Sequence, residues 1–262
     1  MNTGSAERTL RIIGHSPIGF QVLNRLSGSR RVYRSFAEAE VACQKLRRPS
    51  HDSPVLIKGN FRLSLNLRPS DYPVLFWLSR IGLSGPIKVF DFGGGIGQTC
   101  YCYSKYLPVD MIGLWMVMDL QEVIDRSRLS GKVIPSYMKF SASLRDCCGC
   151  NVFLASGSFH YWDHSFADLD TALGGLPEHI LINRSPISGM SKSFVTIQTG
   201  DHWAVPCRVR SRKELVDEFS QLGYQAVDEW QVNEKTLELP VLPEYTAPYR
   251  GFYLRLNRPS VH

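Results

Sequence analysis

Three short stretches carry residues whose types and spacing could do chemistry. "KVFDFGGGIGQTCY", residues 88–101, sets Asp91, Gly93, Gly94, Gly95 and Gly97 directly behind an apolar run. Glycines there permit a sharp strand-to-helix turn and let a ligand lie on bare backbone. The N–H groups that open the next helix attract an anion. A pyrophosphate is one such anion and an amino-acid carboxylate is another. The dinucleotide fingerprint GxGxxG fails, because Gln98 stands where its third glycine belongs. "LASGSFHYWDH", residues 154–164, places His160 and Tyr161 just past a strand-like run. An imidazole at a strand end is a candidate general base near neutral pH, and Tyr161 joins an aromatic body to a polar tip. "LINRSPIS", residues 181–188, offers Asn183 and Ser185 as neutral hydrogen-bonding groups. Between them, Arg184 can hold a carboxylate bidentately or cap a helix.

These residues need a scaffold, and the surrounding pattern supplies one. From Pro86 onward, short apolar runs alternate with helical segments, which argues for a parallel sheet with crossover helices. The expected strands are "IKVFDF", "IGLWMVMDL", "VIPSYMKF", "NVFLASG", "HILINRSP", "QAVDEWQV" and "GFYLRLN". That is seven, with the last two forming a hairpin-like pair. Ligands in such doubly wound α/β sheets bind beyond the carboxyl ends of the strands. Residues 1–85 read as an N-terminal helical region able to act as a lid, and 86–262 as the ligand-binding domain. Two capping boxes, Ser35 with Glu38 and Ser211 with Glu214, mark helix starts. "SDYPVLFWLSRIGLSG" is expected to be the helix packed beneath the sheet, its Val74, Leu75, Leu78 and Ile81 forming one stripe.

Asp119 ends the second expected strand, 22 residues past Gly97. An acid there accepts hydrogen bonds from both hydroxyls of a ribose. With the glycine turn, "VFDFGGGIG" and "WMVMDL" resemble motifs I and II of the class I methyltransferases that bind S-adenosylmethionine. "FHYWDH" resembles the stretch after the fourth strand in many small-molecule O-methyltransferases. "DFGGG", "LASGS", "LINRSP", "FVTIQ" and "YRGFYLRL" are further similar to a bacterial methyltransferase-like family, mostly without known substrates. That family includes enzymes of nonribosomal-peptide pathways that cyclise S-adenosylmethionine to azetidine-2-carboxylate. Gln121 departs from the O-methyltransferase pattern, which commonly has proline two residues after the ribose acid.

The resemblance implies a Rossmann-like class I methyltransferase fold with S-adenosylmethionine as methyl donor or as the substrate itself. It assigns the cofactor to Asp91, Phe92, Gly93, Gly94, Gly95, Gly97, Asp119 and Leu120. Phe140 and Ser141 would flank adenine, and Ser156, Gly157 and Ser158 would leave room for the methionyl part. His160, Tyr161, Asn183 and Ser185 become the catalytic candidates. Phe92, Tyr161, Trp162, Trp203 and Tyr72 are candidates to face the sulfonium, with Phe92 and Trp162 equally readable as core. Two reactions fit. Methyl transfer needs an acceptor, whereas cyclisation needs the amine deprotonated and attacking its own Cγ, with methylthioadenosine leaving. The strand-four and strand-five ends carry no acid before Asp163, which agrees with cyclisation, because a paired carboxylate would keep the ammonium protonated.

Composition is near the average of a soluble globular enzyme, with 262 residues, 44% hydrophobic and 21% charged. The start lacks a secretory pattern and no apolar run is long enough to span a bilayer, so cytoplasmic residence is expected by default. The seven cysteines read as reduced thiols. In "RDCCGC" nothing nearby completes four ligands, so no metal is expected. The net charge of +6 resides in residues 1–50, with nine Lys/Arg against three Asp/Glu. Without aromatic interleaving this is a solvated basic face rather than a nucleic-acid surface, and the expected partner is a small molecule.

Overall fold

The computed structural model describes residues 16, 18–19, 21–22, 31–45, 66–128, 133–163, 166–199, 203–239 and 242–257. Helix α1 (Phe36–Lys45) and helix α2 (Asp71–Gly82) precede β1 (Ile87–Phe92), α3 (Gln98–Tyr103), β2 (Ile112–Met118), α4 (Gln121–Arg128) and β3 (Met138–Ser141). Then follow β4 (Val152–Ser156), α5 (Leu169–Leu173), β5 (His179–Ser188), β6 (Phe194–Thr199), β7 (Ala204–Ser211), α6 (Arg212–Gln221), β8 (Tyr224–Leu237) and β9 (Ala247–Leu256).

Strands β3, β2, β1, β4 and β5 lie side by side and parallel. β9 adds antiparallel to β5, and β8 antiparallel to β9, completing the seven strands expected. The sheet also holds two more. β6 and β7 form an antiparallel hairpin, joined to the far end of β5 through Ile187 and Ser188. Pro206 and three polar or charged residues interrupt the apolar pattern of "AVPCRVRS", which hides β7 from a periodicity reading. The two central strands flanking the switch point are β1 and β4, with crossovers running to opposite sides.

Both faces of the sheet are covered, as a parallel sheet requires. Successive residues of β1 point to opposite sides. Val89 joins Trp115, Val117 and Leu154 against Val74 and Leu78 of α2. Phe90 joins Phe153, Ile180 and Ile182 against Leu215 and Phe219 of α6. The α2 stripe is buried as expected, so residues 71–82 belong to the same core as the sheet. Much of the remaining 1–85 region lies outside the described residues. Helix α1 covers the hairpin instead, with Ala39 and Cys43 on Val195, Ile197 and Ala204.

Ser35 caps α1 through the Glu38 N–H at 3.1 Å, while Glu38 reaches back to the Arg34 N–H at 2.8 Å. The second box is half formed. Ser211 accepts from the Glu214 N–H, but the Glu214 carboxylate turns to the N–H and hydroxyl of Ser193. No helix among the described residues is long and apolar enough to cross a membrane.

Candidate functional site

The glycine turn sits where β1 ends, and its geometry explains its composition. Gly93, Gly95 and Gly97 have φ of 65°, 60° and 82°, a region that side chains other than glycine rarely adopt. A Cβ on Gly93 would lie 2.4 Å from Cβ of Ser158, whereas one on Gly95 would meet nothing within 4 Å. The first glycine is therefore demanded by packing and the second leaves a space open. The N–H groups of Gly93 and Gly94 are tied to the carbonyl of Met118, which fastens the turn to the end of β2.

Asp119 is placed against this turn. Its carboxylate accepts from the N–H of Gly95 at 2.7 Å and of Leu120 at 2.8 Å. Burial pushes its pKa up and these two N–H donors oppose the rise. Asp91 lies beneath the turn, 1% exposed, accepting from the indole N–H of Trp115 at 3.0 Å. Burial pushes its carboxyl up to about 7, with Asp119 adding to the rise and Trp115 and Arg184 opposing it.

An acid whose folded pKa is raised binds its proton more tightly when folded, so its contribution to stability falls as pH rises from the unfolded to the folded value. Asp91→Asn keeps an acceptor for Trp115 and removes the titration. Between pH 4 and pH 8 the stability of the wild type relative to Asp91→Asn is expected to fall by roughly 4 kcal/mol. Urea melts of both proteins across that range check it. A difference that stays flat would mean that Asp91 titrates as an ordinary carboxylate.

Over the turn lies a cleft of about 290 Å³. It is lined by Gly93, Gly94, Gly95, Ser156 and Gly157, all expected, and by Arg68, Asp71, Thr99, Arg184 and Lys235. Asp71 is the residue that sequence reasoning missed and that changes the chemistry. It comes from the first turn of α2, is 5% exposed, and forms an ion pair with Arg184 at 2.6 Å. The same carboxylate accepts from the hydroxyl of Tyr103 and the N–H of Arg68. The site is thus not free of acids, contrary to the reading of the strand ends alone. Arg184 neither caps a helix nor waits for an outside carboxylate. It adopts φ of 51° and spans Asp71 and the hydroxyl of Ser156. Asn183 donates to that hydroxyl and accepts from the indole N–H of Trp230. Ser185 is buried, its hydroxyl without a hydrogen-bond partner among the described residues.

Other expected residues fall elsewhere. Among the described residues no aromatic ring lines the cleft. Phe92 packs on Phe153 and Trp162, and Trp162 is buried in the same cluster, so the core reading holds for both. Tyr72 is 61% exposed. Ser158 secures the turn by donating to the carbonyl of Phe92. Phe140 and Ser141 pair with Val117 and Met118 at the edge of β2, and Ser141 binds Asp146. Leu120 is half exposed behind Asp119. His160 and Tyr161 form a short turn with ring centroids 4.1 Å apart. They lie toward β6 and β9, where Tyr161 donates to Gln198 at 2.7 Å. His160 is 1% exposed and does not line the cleft, so the general-base expectation is not supported by its placement. His179 begins β5 buried and bonds Tyr253 at 2.9 Å. His15, His51, His164 and His202 lie outside the described residues. Cys147 and Cys150 are buried and Cys148 exposed, and no metal-binding cluster occurs among the described residues.

No protein-family model and no curated protein matches the chain. Solved structures do. A Listeria monocytogenes protein assigned as an S-adenosylmethionine-dependent methyltransferase aligns over 72% of this chain and 99% of its own, with a TM-score of 0.51 and 13% identity. Magnesium protoporphyrin IX methyltransferase from Synechocystis PCC 6803 aligns over 82% of this chain. With bound S-adenosylhomocysteine it covers 99% of its own chain, with a TM-score of 0.51 and 9% identity. With bound S-adenosylmethionine it covers 97%, with a TM-score of 0.50 and 8% identity. The chain therefore has the Rossmann-like class I methyltransferase fold.

Proposed function

We propose that the chain is an enzyme that binds S-adenosylmethionine over Gly93–Gly95 and transfers the methyl group to a second small molecule. The observation that carries this reading is the left-handed glycine turn at the end of β1 with Asp119 bonded to its backbone. A ribose would take up the Asp119 carboxylate, and the aminobutyryl chain would run toward Ser156 and Gly157. The fold agrees, since the Synechocystis methyltransferase is seen with S-adenosylmethionine bound. In transfer, a nucleophile on the acceptor attacks the methyl carbon while the carbon–sulfur bond breaks, and S-adenosylhomocysteine leaves as a neutral thioether. The protein's part is to align the two and exclude water.

Cyclisation to azetidine-2-carboxylate with release of methylthioadenosine is the second reading. The resemblance of the sequence suggests it, and one observation favours it. Asp71 is already bonded to Arg184, Tyr103 and Arg68, so it does not hold the amine as an ammonium. Against it, His160 and Tyr161 are turned away from the cleft and offer no base there. Methyl transfer is favoured because Lys235 lines both this cleft and a second one between β6 and the end of β8, which offers room for an acceptor.

Incubation with S-adenosylmethionine alone, followed by mass spectrometry, separates the readings. Methyl transfer predicts no turnover without acceptor, and S-adenosylhomocysteine when one is supplied. Methylthioadenosine with a cyclic amino acid would replace it with cyclisation. Failure to bind S-adenosylmethionine at all would remove both.

A further inference from the structure

We infer that a second cleft, between β6 and the end of β8, holds the methyl acceptor, and that the acceptor carries a carboxylate paired with Lys235. This rests on the methyl-transfer reading. The second cleft measures about 280 Å³, at the small end for ligand sites, and its lining includes Ile197, Gln198, Leu237 and Tyr249. Lys235 is the residue common to the linings of this cleft and the one over the glycine turn, which makes it the link between them in this proposal.

The ammonium is placed to receive an anion. Lys235 is an exposed residue of β8, and its Nζ lies over the ring of Tyr249, 4.6 Å from the centroid. Among the described residues no carboxylate pairs with it. Burial lowers its pKa below the usual lysine value. The nearby cations Arg184 and Arg68 act in the same direction, and Cys207 opposes them. Asp71 cannot offset this charge, being bonded to Arg184, and Glu238, the acid that lines the second cleft, forms no ion pair with Lys235. A partly desolvated cation without a counter-ion gains most from a ligand that brings one.

The rest of the cleft is built for orientation. The Gln198 side chain is 7% exposed and clamped on both sides, its oxygen accepting from Tyr161 and its nitrogen donating to Tyr249. These bonds leave one amide N–H and one lone pair at a defined angle, beside the apolar walls of Ile197 and Leu237. Tyr161, a candidate to face the sulfonium, instead bonds this amide, with the ring of His160, the candidate base, packed on it. A ligand with an anionic end and a small apolar body satisfies all three features, with its charged end toward the methyl donor.

Benzoate and hexanoate, each beside its uncharged amide, are the probes, titrated into the full chain with and without saturating S-adenosylhomocysteine and followed by ligand-observed NMR. One or both acids are expected to bind about 10-fold or more tighter than the amide, because a charge-assisted pair is gained. Binding should persist with S-adenosylhomocysteine present. Lys235→Met should erase the preference while amide binding remains, which shows that the cleft is intact, and Lys235→Arg should keep it. Acids that bind no better than amides, or a preference unchanged in Lys235→Met, would overturn the site. Competition between acid and S-adenosylhomocysteine would overturn it too, assigning Lys235 to the cofactor's own carboxylate. If S-adenosylhomocysteine fails to bind the wild type, the methyl-donor reading falls and the acceptor role with it.

Discussion

Gly95→Ala is expected to lose only the stability its left-handed backbone costs while losing S-adenosylmethionine binding, whereas Gly93→Ala is expected to lose roughly twice as much stability. Both glycines have φ near 60°, so alanine at either adopts a left-handed conformation that costs about 1–2 kcal/mol. The difference lies in what the added methyl meets. At Gly93 it runs into Cβ of Ser158 at 2.4 Å, and that side chain is buried and bonded to the carbonyl of Phe92, so it cannot simply turn aside. Overpacking of this kind adds about 1–3 kcal/mol. At Gly95 the methyl projects where nothing lies within 4 Å, into space the proposed cofactor would fill. Affinity for S-adenosylmethionine should fall about 100-fold, the equivalent of about 2.7 kcal/mol. Thermal melts and calorimetric titration of both variants separate the two effects. If Gly95→Ala binds like the wild type, the ligand does not lie on this turn.

The elements that a reader of the sequence can place are those whose signal is local. The apolar run ending in Asp91, the glycines that follow and the acid at the end of β2 lie within about thirty residues, and their spacing encodes a strand, a turn and a neighbouring strand. The structure brings them together through the Asp119–Gly95 bond. What stayed hidden depends on distance in the chain or on the direction of a turn. Asp71 meets Arg184 across 113 residues, and nothing in "SDYP" distinguishes a site carboxylate from an ordinary first-turn acid of a helix. Lys235 sits in an exposed alternating strand and gives no signal of its own. His160 and Tyr161 follow a strand end, as site residues do. However, a tight turn after Ser158 carries both rings toward β9 rather than over the glycines, and a sequence does not display which way such a turn faces. The β6–β7 hairpin was obscured because β6, though buried on both faces, is broken by Thr196, Gln198 and Thr199, and β7 contains a proline.

The ion pair that was hidden is also where a single substitution should do most damage. Asp71→Leu is expected to destabilise the protein by about 3–5 kcal/mol, because it leaves a buried guanidinium without its counter-ion. The side chains of Arg184 and Asp71 are only 14% and 7% exposed. Tyr103 loses its acceptor in the same step, and its hydroxyl lies wholly inside the core. Arg184 is moreover held at φ of 51°, a backbone state that persists only where its surroundings enforce it. For a chain of this size each 1 kcal/mol shifts the melting temperature by about 2–4 °C, so a drop of about 6–20 °C is expected by calorimetry. The double variant Asp71→Leu/Arg184→Met should recover much of that loss, since the cost lies in the unpaired charge rather than in the absence of the pair. A surface pair would behave otherwise, with the single variant costing about 1 kcal/mol or less and the second change adding nothing. That outcome would mean that α2 is not latched to β5 through a desolvated contact. The rim of the cleft would then be free to open at this helix.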